Sequence, residues 1–90
     1  KLFEEFRKNN IYVSESFGRD SIKAQLRVAD RLGVDLALII GQKEALDNTV
    51  ILREMQPGVQ EVIPLEKIIN EVKKRLKKIH SRRTINNQEI

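Results

Sequence analysis

The side chains able to make or break bonds are few, and their spacing does not suit catalysis. Ser14, Ser16, Ser21 and Ser81 would need an imidazole as base. The single histidine, His80, sits among Lys77, Lys78, Arg82 and Arg83, a setting that suits a solvated helix residue better than a base. The carboxylate pairs Glu4-Glu5 and Asp30 with Asp35 read as surface or cap residues rather than an acid/base couple. With no cysteine and one histidine, thiolate sites and multi-histidine metal sites are both ruled out. Gly18-Arg19-Asp20-Ser21 stands between a strand pattern and a helix pattern, where phosphate loops occur, and a phosphate contact there stays open. It lacks the further glycines and the Gly-Lys-Ser/Thr ending of a nucleotide loop. The sequence therefore predicts no catalytic residue, metal or cofactor site in this chain.

Charge points instead to binding, and to one segment. The chain has 17 Lys and Arg against 13 Asp and Glu, a net charge of +4. Residues 73–83, KKRLKKIHSRR, hold seven of those cations and no acid, leaving ten basic against thirteen acidic residues elsewhere. A polyanion partner fits through that segment, whereas a uniformly basic nucleic-acid groove does not. The longest apolar run, LALII at 36–40, falls far short of the ~20 residues of a membrane span. Lys1 does not open a signal peptide, and the lack of cysteine accords with a reducing compartment. The expected setting is cytoplasmic, with no membrane partner.

The elements that would position these groups follow from periodicity. Leu2, Phe3 and Phe6 share one side of a helix end closed by Asn9-Asn10, residues that tolerate the left-handed conformation. IYVSESF at 11–17 reads as a strand stopped by Gly18. Asp20 or Ser21 caps a helix whose apolar face is Ile22, Leu26, Ala29 and Leu32, ended by Gly33. Leu36-Ala37-Leu38-Ile39-Ile40 is apolar throughout, as a strand covered on both faces must be. After a turn at Asp47-Asn48, strands at 49–55 and 59–63 form a hairpin around Pro57-Gly58. From Leu65, the spacing of Ile68, Ile69, Val72, Leu76 and Ile79 predicts a helix of about four turns. A polar, frayed end follows from Thr84. The order helix, strand, helix, strand, strand, strand, helix is α/β with a parallel part running into an antiparallel hairpin. Residues 1–80 are expected to form the domain and 81–90 a basic to polar tail.

A family pattern runs through these elements. Ser21-Ile22-Lys23-Ala24-Gln25-Leu26, Ala29-Asp30-Arg31-Leu32-Gly33, Leu38-Ile39-Ile40-Gly41 followed by Glu44, Val50-Ile51-Leu52-Arg53 and Gly58-Val59-Gln60 stand in fixed order. Together they resemble the C-terminal anticodon-binding domain of the histidyl-tRNA synthetase family, over about residues 2–76. The threonine, proline and glycine enzymes share the fold, but the Ser-x-Lys-x-Gln helix, the Ala-Asp pair and the Gly-x-Gln turn look more like the histidine enzyme. The resemblance implies a three-layer anticodon-binding-domain fold, a five-stranded mixed sheet flanked by three helices. Its partner would be the histidine tRNA anticodon stem-loop. ATP and magnesium would belong to a separate class II catalytic domain, none of whose motifs can be placed here, and the parent enzyme would be a homodimer.

In the family a further strand lies before the position of Lys1. Without it, one side of Leu36 to Ile40 is expected to face a gap beside the strand at 11–17, open to a segment outside this chain, to strand-mediated self-association or to direct pairing of the two strands; the first two are favoured. Two other functional classes fit the same residues: a regulatory synthetase-like paralogue and a protein-interaction module with a basic terminal helix.

Anticodon bases are read through their edges and by stacking on flat groups. Glu44 can accept from guanine N–H groups, and Arg53 can donate two bonds to a base edge or stack on it. In related synthetases the matching glutamate and strand arginine contact anticodon bases; a plain cross-strand salt bridge is the alternative. Arg19, Lys23 and Arg27 line the start of the second helix as phosphate or base contacts, or as a solvated face. Lys73, Lys74, Lys77 and Lys78 are expected to make non-specific phosphate contacts. With one Tyr and three Phe, arginine must replace much aromatic stacking.

Overall fold

The structure, a computed structural model, describes residue 6, residues 10–16 and residues 22–88. Its elements are β1 (Ile11–Ser16), α1 (Ile22–Leu32), β2 (Leu36–Gly41), α2 (Gln42–Asp47), β3 (Thr49–Glu54), β4 (Val59–Pro64), a 3-10 turn (Leu65–Lys67) and α3 (Ile68–Gln88). Phe6 is also helical and buried.

Each strand sends alternate side chains to opposite faces, and this chain fills both. Ile11, Val13, Leu36, Leu38, Leu52, Val50 and Ile63 share one face, where Ile68 and Val72 of α3 and the ring of Phe6 complete a single core. The other face carries Tyr12, Ser14, Ala37 and Ile39 beneath α1. There the fully buried Ala29 faces inward and Gln25 accepts from the Tyr12 and Ser14 hydroxyls at 2.6 and 2.7 Å. The Ser-x-Lys-x-Gln pattern thus contains a docking residue for the helix. The result is three layers, α/β/α, around a mixed sheet.

Strand order is β1-β2-β3-β4, parallel between β1 and β2 and antiparallel thereafter. This corrects the expected gap. Ile11 pairs with Leu36 and the register holds to Ser16 opposite Gly41, so β1 occupies the slot beside β2 directly. The apolar run of β2 has hydrogen-bonded neighbours on both sides, and no bare edge of β2 remains to recruit another strand. A sheet interior tolerates few unpaired backbone groups, and direct pairing satisfies them.

The turns obey local chemistry. Asn10 (φ 63°) takes the left-handed conformation just before β1, and its carbonyl accepts from the Asp35 N–H at 3.2 Å. Gly58 (φ 74°) closes the β3–β4 hairpin by donating to the Glu54 carbonyl at 2.9 Å. Two elements differ from expectation. α2 stands where no helix is predicted, and α3 runs for 21 residues without a break at position 81.

Candidate nucleic-acid interface

Glu44 owes its position to α2. The strand ends at Gly41, which becomes the N-cap, and the Glu44 carboxylate, three residues on, turns back so that Oε1 accepts from the Gly41 N–H at 3.1 Å. This is the reaching-back half of a capping box. A Cβ at position 41 would lie 2.6 Å from that oxygen, so glycine leaves the space the carboxylate occupies. At the other end Asn48, in the left-handed region (φ 54°), donates its N–H to the Glu44 carbonyl. Glu44 is buried and one of its oxygens is already used.

Arg53 sits elsewhere. In the β2–β3 register it is opposite Ala37, four strand residues from Gly41, a separation of about 13 Å along the sheet. Glu44 and Arg53 therefore form no cross-strand salt bridge and cannot grip one base together. Arg53 is organised instead by β4: its Nη1 donates to Gln60 Oε1 at 3.2 Å, and a Cβ on Gly58 would lie 3.3 Å from Nη2. The Gly-x-Gln turn thus has a structural reason, because Gly58 makes room for the guanidinium and Gln60 orients it. This corner belongs to the half of the sheet beyond α1, where Gln60 and Val62 are exposed.

At the carboxyl end of β2 the chain brings other groups together. Ile22, at the start of α1, comes within 3.9 Å of where a Gly41 Cβ would be, so α1 begins beside Gly41 and Glu44. Lys23 and Arg27, both exposed, stand one turn apart on the outward side of that helix start. Arg19, like the rest of the Gly18 to Ser21 stretch, lies outside the described residues. In open α/β sheets the carboxyl ends of the parallel strands are the usual ligand side, and Glu44, Lys23 and Arg27 all belong to it.

The basic segment divides into two faces. Arg75, only 11% exposed, donates to Glu54 Oε2 and to Glu61 Oε1, both at 2.9 Å, and lies 3.6 Å from Glu71. Lys78 and Arg82 approach Glu54 Oε1 at 3.4 and 3.8 Å. Lys74 is 3.9 Å from Glu71. Of the four lysines expected to meet phosphate, Lys78 is thus turned toward a buried carboxylate. Lys73 and Lys77 are exposed and in no ion pair among the described residues. The sequence carried a signal for this network: Glu54 shares parity with inward Val50 and Leu52, and Arg75 falls within the Ile68, Val72, Ile79 stripe. Among the described residues no group of three or more His, Asp and Glu could hold a metal, and no helix is long and apolar enough to cross a membrane.

The family profile described as the anticodon binding domain matches residues 1–75. The chain belongs to the anticodon-binding-domain family. Among curated relatives, the histidine–tRNA ligase of Dehalococcoides mccartyi is 40% identical over 75 residues, covering 83% of this chain and 18% of the ligase. That of Rhodococcus erythropolis is 29% identical over 72 residues, covering 80% and 17%. The chain therefore spans about a fifth of the length of the curated relatives it matches. Among solved structures, the histidyl-tRNA synthetase from Nostoc sp. PCC 7120 superposes with a TM-score of 0.64 at 20% identity, over 83% of this chain and 27% of that one. That likeness supports the fold. The anticodon-binding domain ends in the comparison at residue 75, so Arg75 is the last matched position and the rest of the basic helix lies beyond it.

Proposed function

We propose that this chain is the tRNA anticodon-binding domain of a histidine–tRNA ligase, holding the anticodon stem-loop of histidine tRNA for ATP-dependent aminoacylation elsewhere in the enzyme. The observation that carries this is the family match over residues 1–75 together with 40% identity to a histidine–tRNA ligase. ATP and magnesium then act in the catalytic part of such a ligase, working as a cytoplasmic homodimer. Two corners of the domain serve as base readers. At the carboxyl edge of the sheet, the Glu44 oxygen not used by the cap accepts from a base edge, while Arg19, Lys23 and Arg27 take phosphates or bases nearby. On the uncovered half of the sheet, Arg53 presents a guanidinium held by Gln60, ready to donate or to stack. Being about 13 Å apart along the sheet, the two readers address different nucleotides. Lys73, Lys74 and Lys77 add a sequence-independent attraction.

The test is binding of histidine tRNA against an anticodon-swapped version, measured for the wild-type chain, Arg53→Ala and Glu44→Gln. The glutamine keeps an acceptor for the Gly41 N–H, so the cap survives while the charge is lost. Each variant is expected to weaken cognate binding by roughly 1–3 kcal/mol and to narrow the gap between the two tRNAs. If both remain folded with unchanged affinity and preference, the base-reading assignment fails.

A further inference from the structure

Folding makes the six described cations of residues 73–82 unequal. Arg75, Lys78 and Arg82, at i, i+3 and i+7, turn one helix face toward the end of β3, where the Glu54 side chain is only 3% exposed. Arg75 satisfies Oε2. Oε1 has no hydrogen bond among the described groups, although Lys78 and Arg82 surround it at 3.4 and 3.8 Å. A buried carboxylate in that state holds its cations by Coulomb attraction in a low-dielectric setting, and moving them away leaves it less compensated. Lys78 and Arg82, about half exposed and so partly screened, are drawn toward Glu54 by the part of that attraction solvent leaves. The opposite face is different. Lys73 and Lys77, one turn apart, are exposed and unpaired among the described residues, and Lys74, His80 and Ser81 beside them are exposed too. From Lys73 to Ser81 every exposed residue is Lys, His or Ser, and the exposed Ile69 lies one turn before Lys73. A protein partner would need a buried apolar anchor, whereas a cationic, polar face suits a polyanion backbone.

We propose that α3 is an RNA phosphate track in which Lys73 and Lys77 make the contacts while Glu54 withholds Lys78 and Arg82, limiting the strength of sequence-independent binding. This rests on the RNA-binding reading and adds a device that reading does not contain: an internal carboxylate that attenuates the grip. Weak non-specific binding leaves discrimination to the base-reading corners, since the electrostatic term is the same for every tRNA.

The experiment measures affinity for histidine tRNA and its anticodon-swapped version across a salt series, with folding checked by circular dichroism. Lys73→Gln with Lys77→Gln is expected to reduce the slope of log K against log salt by about 1.4 for both tRNAs, at ~0.7 per phosphate contact of a single strand. Lys78→Gln with Arg82→Gln should leave the slope unchanged. Glu54→Gln should steepen it, by up to about 1.4 if both released cations reach phosphate. A slope lowered as much by the Lys78 and Arg82 pair as by the Lys73 and Lys77 pair overturns the proposal. So does a folded Glu54→Gln variant with the wild-type slope. Should Glu54→Gln fail to fold, the comparison of the two double variants still decides. Anticodon preference is read in the same titrations. Slopes as expected with no preference would sink the anticodon-binding assignment alone, and preference with unresponsive slopes would sink the phosphate track alone.

Discussion

Removing Arg75 should destabilise the domain more than removing its buried partner Glu54. The Arg75 side chain is 11% exposed and that of Glu54 3%, so neither charge is well solvated. Breaking such a pair by deleting one member typically costs about 3–5 kcal/mol, because the survivor stays buried and uncompensated. What survives differs on the two sides. In Arg75→Met, Glu54 loses its sole hydrogen bond among the described groups and keeps Lys78 and Arg82 at 3.4 and 3.8 Å, both about half exposed and therefore partly screened. That lowers the expected loss to about 2–3 kcal/mol. In Glu54→Met, Arg75 keeps Glu61 at 2.9 Å and Glu71 at 3.6 Å, and the thioether fills most of the vacated volume; about 1 kcal/mol is expected. The double variant should lie within about 1 kcal/mol of wild type, since a well-packed apolar pair avoids the desolvation of both ions. Urea unfolding followed by far-ultraviolet circular dichroism gives all four corners of the cycle, provided m stays constant. At roughly 4–8 °C of Tm per kcal/mol for a domain of this size, Arg75→Met should be visible in a thermal scan as well. The reasoning is refuted if Glu54→Met costs as much as Arg75→Met, or if the double variant loses the sum of the two.

Three further outcomes follow from other elements. Gly41→Ala should displace the Glu44 carboxylate, whose Oε1 lies 2.6 Å from the added Cβ, and cost about 1 kcal/mol in urea unfolding; Glu44→Ala made in that background should then cost little more. Gln25→Leu strips the acceptor shared by Tyr12 and Ser14 and should cost about 1–3 kcal/mol, against ~1 kcal/mol or less for Tyr12→Phe, by the same unfolding assay. Leu38→Ala, at the centre of β2 where exposure is 1%, should cost about 2–5 kcal/mol without changing the far-ultraviolet spectrum at low denaturant.

What the sequence discloses and what it hides divide along physical lines. Periodicity over ten or more residues fixes α1, and the continuous apolar run of β2 announces burial on both faces; both fall where expected. So does the Pro57-Gly58 hairpin, because a positive φ at Gly58 is a local requirement. α2 is hidden, since six residues span too few turns for an apolar stripe to repeat, and its Leu46 is 80% exposed. Its one local sign is the glutamate three residues after Gly41, and that residue type serves a cap and a base reader equally well. Strand adjacency is hidden too. Nothing in the composition of β1 distinguishes direct pairing with β2 from a place one strand further out, because both satisfy the same alternation.

The basic segment shows why charge counted along a chain misleads about charge offered to a partner. Seven cations within eleven residues read as one polyanion site. A helix distributes them by angle, at 100° per residue, and the sheet beneath places Glu54 and Glu61 under one sector only. The described cations in that sector are neutralised internally, and Lys73 and Lys77 opposite stay exposed and unpaired among the described residues. The Glu54 parity with Val50 and Leu52 is therefore the residue pattern that decides how much of the segment can bind. An acid at an inward strand position implies a cation on the helix that covers it, and Arg75, within the apolar stripe, is the cation so placed. Counting paired cations first turns a net charge into a surface, and among the described residues of α3 that surface is Lys73 and Lys77, with the exposed Lys74 at its edge.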